Sequence, residues 1–429
     1  MPARPRLPGR RSLRVARHLA SAGLSELRHA VGAGRRGDRV TVNEATAREL
    51  LRAASELRGT AVKFLQLLSM ESDALPDGLG AELSACCHAV PPMPPGAARD
   101  ALANALGRPA HEAFAAFNDH AFAAASIGQV HRATSHDGRD VAVKIQYPGV
   151  REQIASDVRI IRRIVRRLPD AAYHLQLTNT IAQRLREECD YLGEAERTER
   201  FDQLASADLH IPTVDWATTT PRVLTTSFVG GQHIDAWLLS DPSQAARDRA
   251  ATTLAGIFAA GINRLHAVHA DANSGNFLLE QDGRVGLIDF GCVCPLSKED
   301  AATLQGTFSA LRRGDTTAAA AFSPRGGLQT AEQAELDALH VAPFRRWLAE
   351  AMMAQPLDFS TRDGFVSEGR GHWVGMMTNR AHIGLHPSLF VVGRALFGTW
   401  RLLERMAARV DLGKPWADQP VSASEDQQP

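Results

Sequence analysis

Short apolar runs in which every second residue is small or polar begin near His120. Residues 122–131 (Phe-Ala-Ala-Ala-Ser-Ile-Gly-Gln-Val-His) read as strand, small-residue turn, strand. Val141-Ala142-Val143-Lys144-Ile145-Gln146 reads as a further strand, joined through the His136-Asp137-Gly138-Arg139 turn. The period of two and the Asp-Gly turn predict antiparallel pairing. Two more strands are expected at 213–216 and 223–228. Around this small sheet the pattern is helical: 41–90, with Thr41 or Asn43 as cap and breaks at Gly59 and Pro76, and then 95–118 after the stiff Pro91, Pro92, Pro94, Pro95 connector. A basic helix is expected at 150–168, a single longer one at about 175–204, another at 245–265, and helices dominate 298–410. One apolar hairpin interrupts the second half. Its strands are 277–279 and 285–288 about a Gln281-Asp282-Gly283-Arg284 turn, and it runs into Asp289-Phe290-Gly291. The expected fold is α+β and bilobed, a small antiparallel-sheet lobe followed by a mainly helical one.

Composition narrows the function classes. The 429 residues include 44% hydrophobic and 22% charged, with a net charge of zero, so the whole-chain balance gives a nucleic-acid partner no support. The five cysteines (Cys86, Cys87, Cys189, Cys292, Cys294) are odd in number and lack zinc spacing. They point to buried thiols in a reducing compartment, the cytoplasm. No secretory signal pattern is present. The most apolar stretch, 383–400, is interrupted by His386, Pro387 and Arg394, so no transmembrane segment is expected. Residues 1–40 carry ten arginines against Glu26 and Asp38, with Leu13, Ala16, Ala20, Leu24, Leu27 and Val31 at helical spacing. This arm suits either peripheral contact with an anionic membrane or docking on the body.

Chemistry concentrates where the patterns change. Asp271, followed five residues later by Asn276 and then, across the hairpin, by Asp289, would gather oxygen groups at the ends of paired strands. Phosphoryl-transfer sites arrange Mg²⁺ and an acceptor hydroxyl in this way. Asp271 would orient the acceptor, and Asn276 and Asp289 would hold metal. Together with Asp289-Phe290-Gly291 this spacing matches protein-kinase-like enzymes. Only four of the 48 basic residues are lysines: Lys63, Lys144, Lys298 and Lys414. Lys144 sits in Val-Ala-Val-Lys, where its ammonium would reach nucleotide phosphates beneath the turn of Ala123, Ala124, Ala125 and Ser126. Glu188, Asp190 and Glu194 follow on the predicted long helix, Asp190 and Glu194 sharing a face, and Ser227, Phe228 and Val229 would form an interlobe connector holding adenine.

These motifs together resemble the UbiB/AarF/ADCK family of atypical protein-kinase-like proteins, over about residues 55–410. The resemblance implies binding of ATP or ADP with Mg²⁺, slow ATP hydrolysis and a role in ubiquinone-type isoprenoid-lipid metabolism at a membrane surface, with lipid or lipid-biosynthesis enzymes as partners. By resemblance, Glu194 pairs with Lys144, Glu188 and Asp190 form a Glu-x-Asp motif, and a helix bearing Lys63 and Gln66 reaches into the site and occludes a protein-substrate groove. The chain departs from the family in three places. Leu65 replaces a glycine, the loop Asp271-Ala272-Asn273-Ser274-Gly275-Asn276 lacks two prolines and a histidine, and Thr226-Ser227 replaces Met-Glu. The expected organisation is an Arg-rich arm (1–40), a helical extension with Lys63 and Gln66 (41–118), a sheet lobe (119–230), a helical lobe (231–411) and a disordered tail (412–429). Two rival readings stand beside the kinase or ATPase: a nucleotide-binding pseudokinase scaffold, and a small-molecule phosphotransferase of the aminoglycoside or choline kinase kind. Salt-bridge reach from Lys63 to Glu188 or Asp190 would argue against the latter.

Overall fold

The computed structural model describes residues 93–417 apart from 125–126, 167–170, 320–329, 354, 380–382 and 384–388. The Arg-rich arm, Lys63 and Gln66, Ala125 and Ser126, Cys86 and Cys87 and the end of the chain from 418 lie outside the described residues. The chain divides into two compact units. The first comprises the described residues up to Glu194 together with Val214–Phe228, and the second Ala195–Thr213 together with the residues from Val229 onward. The architecture is α+β.

In the first unit the strands are Ala116–Phe117 (β1), Ala123–Ala124 (β2), Gly128–Thr134 (β3) and Asp140–Gln146 (β4). After Leu209–His210 (β5), which belongs to the second unit, Val223–Ser227 (β6) returns to complete the sheet. The order is β1-β3-β4-β6, with β2 also paired to β3, and every pairing is antiparallel. Alternation along β4 explains why the sheet has two different faces. Val141, Val143 and Ile145 are buried with Leu102 of the helix Pro95–Leu106 and with Phe114, whereas Ala142 and Lys144 turn to the other, half-buried face. Lys144 stands between Val130 of β3 and Leu224 of β6. Gly128 opens β3 because a Cβ there would lie 2.4 Å from the Ile145 carbonyl oxygen.

In the second unit β7 (Gln232–His233), β9 (Phe277–Leu279) and β10 (Val285–Leu287) form a sheet of order β5-β10-β9-β7, in which β10 pairs parallel with β5. The β9–β10 hairpin turns at Gly283, whose φ of +86° and 2.2 Å approach to the Ala246 carbonyl exclude a side chain. A separate pair, β8 (Ala267–His269) with β11 (Val293–Pro295), brackets the hairpin on both sides. Helices Gln244–Leu265, Lys298–Arg312, Ala342–Met352, Phe365–Thr378 and Leu389–Arg405 bury one large core.

Four expectations are corrected. The helix from Pro95 stops at Leu106, where Gly107 adopts a left-handed cap, and β1 begins the sheet before His120. The single helix expected at 175–204 is two, Ala171–Glu188 and Tyr191–Asp202, because the Asp190 carboxylate accepts from the Gly193 N–H at 3.2 Å and starts a new helix. Residues 213–216 contribute only the Val214 bridge to Thr226. The tail does not begin at 412: Leu412 and Trp416 are buried, the Trp416 ring stacked 4.4 Å from Phe308.

Candidate active site

Lys144 projects from the middle strand of the first unit into a prepared acidic position. Its Nζ donates to Glu194 Oε1 at 2.7 Å and Oε2 at 3.0 Å. The side chains retain 16% and 3% of their exposure, so the pair is largely withdrawn from water. The ammonium also lies 5.1 Å from the centre of the Tyr191 ring, a cation–π contact. Both contacts come from the helix Tyr191–Asp202, so the Asp190 cap that starts this helix is what aims Glu194. Gln146, two residues beyond Lys144, donates to the Cys189 carbonyl at 2.7 Å and closes the preceding helix.

In the second unit the loop after β8 brings Asp271 to Asn276. The Asn276 Nδ2 donates to the Asp271 main-chain oxygen and to its Oδ2, each at 2.9 Å. With its nitrogen committed in this way, Asn276 offers its amide oxygen as an acceptor. Asp289 Oδ1 accepts from the Gly291 N–H at 2.9 Å, and the Asn276 carbonyl accepts from Ile288 N–H at 3.1 Å, tying the loop to the end of β10. The backbone at Asp289–Phe290 is gripped at consecutive carbonyls. His269 Nε2 bonds Asp289 O at 2.8 Å, and Arg197 Nε donates to Phe290 O at 2.7 Å. His269 is buried among the Phe201, Phe277 and Phe290 rings. The amide oxygen of Asn276 and the carboxylate of Asp289 form a hard-oxygen donor set, which suits Mg²⁺.

Asp190 serves as a helix cap, and neither Glu188 nor Asp190 is among the Lys144 contacts described above. Ala123 and Ala124 lie in β2, paired with Val130 and Gln129. Ser227 ends β6, the Phe228 N–H donates to Asp140 O at 2.9 Å with the Arg132 guanidinium 4.5 Å above its ring, and Val229 is buried against Gly286 in the second unit. The sequence reading did not single out Tyr191, Arg197 or Arg394. Arg394, on the helix Leu389–Arg405, lies 3.8 Å from Asp271 Oδ1. It is 123 residues from Asp271, beyond any local pattern. Tyr191 directly follows Asp190, so a cap assignment there would have exposed it. Cys292, beside this loop, has its thiol pushed well above the usual range by a hydrogen bond with Cys294 and by burial.

A model of the ABC1 atypical kinase-like domain matches residues 86–323, more than half of the chain. The chain belongs to the ABC1 atypical kinase-like family. The probable protein kinase UbiB of Xylella fastidiosa (strain 9a5c) is 32% identical over 293 residues, 63% of this chain and 51% of that protein. The mitochondrial atypical kinase coq-8 of Caenorhabditis elegans is 27% identical over 384 residues, 87% of this chain and 50% of that protein. The chain thus spans about half the length of the curated relatives it matches. Among solved structures, the complex of Rv3197 with erythromycin from Mycobacterium tuberculosis covers 87% of this chain and 95% of its own, with a TM-score of 0.60 and 26% identity. Among the described residues of this chain no helix is long and apolar enough to cross a membrane.

Proposed function

We propose that the chain binds ATP with Mg²⁺ and acts as an atypical kinase or ATPase. The observation that carries this reading is the withdrawn Lys144–Glu194 pair, since an ammonium held on a sheet by a buried carboxylate is positioned for nucleotide phosphates. In this reading Lys144 engages the α- and β-phosphates. Asp271, its carboxylate steadied by Asn276, orients an acceptor hydroxyl or water and takes its proton. Asn276 and Asp289 would hold Mg²⁺, which would supply charge neutralisation for the phosphates. Ala123, Ala124, Ala125 and Ser126 cover the phosphates, and Ser227, Phe228 and Val229 hold the base. Lys63, Gln66, Glu188 and Asp190 belong to the same machinery by family resemblance. Service to ubiquinone-type lipid metabolism at a membrane, reached through the Arg-rich arm or a partner, accords with the names of the UbiB and coq-8 relatives.

The test is Mg²⁺-dependent ATP hydrolysis by wild type and Asp289→Asn. Loss of turnover by about 100-fold or more in the variant is the expected result, since a metal-binding carboxylate is removed. Equal hydrolysis by both would reject the catalytic reading in favour of a nucleotide-responsive scaffold.

A further inference from the structure

A half-buried guanidinium with one nitrogen fully enclosed is a costly way to bind one carbonyl. Arg197 Nε donates to Phe290 O at 2.7 Å, while its Nη2 is buried without a hydrogen-bond partner among the described residues. Leaving a charged donor unsatisfied costs free energy that a neutral residue of similar volume would avoid. Its surroundings suggest what the arginine is kept for. Phe201, one turn further along the same helix, packs against the Phe290 ring with centroids 5.5 Å apart. Helix Tyr191–Asp202 thus holds Phe290 by both side chain and main chain, as His269 holds the carbonyl just before it. With consecutive carbonyls fixed, the backbone direction at Asp289 is set, and with it the aim of the carboxylate.

We infer that Arg197 is a positioning residue for Asp289. The inference rests on the reading of Asp289 as a Mg²⁺ ligand. Groups that orient a metal ligand from behind are worth about 10- to 100-fold in metal affinity.

The experiment titrates Mg²⁺ at fixed, saturating ATP and follows thermal unfolding of the full chain. It compares wild type, Arg197→Met, which keeps length without a donor, and Arg197→Lys, which keeps a charged donor. The midpoint for Mg²⁺ should rise about tenfold in Arg197→Met and stay near wild type in Arg197→Lys, while the response to ATP without Mg²⁺ is the same in all three. Arg197→Leu, which also lacks a donor, is read in the same way and replaces the methionine variant should that one fail to fold. An unchanged midpoint in the donor-less variant, or a lysine variant as impaired as methionine, overturns the positioning role and leaves the nucleotide reading intact. Wild type indifferent to ATP and Mg²⁺ would remove the nucleotide reading itself, and this inference with it.

Discussion

Glu194 keeps only 3% of its side-chain exposure, and its carboxylate is bonded to the ammonium 2.7 Å away. Glu194→Gln preserves shape but removes the charge beside a mostly buried Lys144, and should cost about 3 kcal/mol in urea unfolding. Combining Lys144→Met with Glu194→Leu should cost less than the sum of the two single changes. The Lys144 partner was legible through the family resemblance, which pointed to Glu194; helix position alone put Asp190 and Glu194 on one face and did not choose between them. That Asp190 caps a new helix was not legible, since nothing in Glu188-Cys189-Asp190-Tyr191 distinguishes a helix interior from the end of one helix and the cap of the next. At that break the Cys189 thiol is buried and pushed up to about 11, mainly by desolvation, against an ordinary 9.0. Below pH 9 the thiol is neutral both folded and unfolded. Between 9 and 11 only the unfolded chain ionises, so this contribution to stability is lost as pH rises, by about 2 to 3 kcal/mol. Cys189→Ala should show a correspondingly shallower alkaline decline when the two proteins are compared by denaturant unfolding.

Asp190 belongs at the scale of the element it starts. Asp190→Ala should lower stability by about 1 kcal/mol through loss of the cap, and Asp190→Asn should stay close to wild type because an amide oxygen also accepts from Gly193. Denaturant midpoints check this, and a turnover defect in Asp190→Asn at unchanged stability would show that the carboxylate has a chemical role beyond capping. The β9–β10 hairpin was readable because two apolar runs flank an Asp-Gly turn. The β8–β11 pair was not, because three-residue strands such as Ala267–His269 and Val293–Pro295 are too short to show a period. They matter all the same: β8 delivers His269, whose ring fixes the Asp289 carbonyl.

For the whole chain, the kinase-like fold was legible because its informative segments are local in sequence: Val-Ala-Val-Lys, Asp-x₄-Asn and Asp-Phe-Gly each lie within a few residues. Contacts across the chain were not legible. Arg197 meets Phe290 across 93 residues. Arg394 reaches Asp271 from the helix Leu389–Arg405, beyond residue 323 where the family match ends, and Gly398 of that helix leaves room for Ala272 where a Cβ would lie 3.0 Å away. The loop from Asp271 to Asn276 is therefore backed by residues outside the matched family span. The central claim, that the chain binds ATP together with Mg²⁺, is tested most directly by thermal unfolding of the full chain with ATP, with and without Mg²⁺. Wild type, Lys144→Ala and Asp289→Asn are the three proteins to compare. At ATP about 100-fold above its dissociation constant the wild type should gain about 2.7 kcal/mol, Lys144→Ala should lose most of that gain in both conditions, and Asp289→Asn should lose only the Mg²⁺-dependent part. A wild type that ATP does not stabilise, or a Lys144→Ala protein stabilised as strongly as wild type, would contradict it.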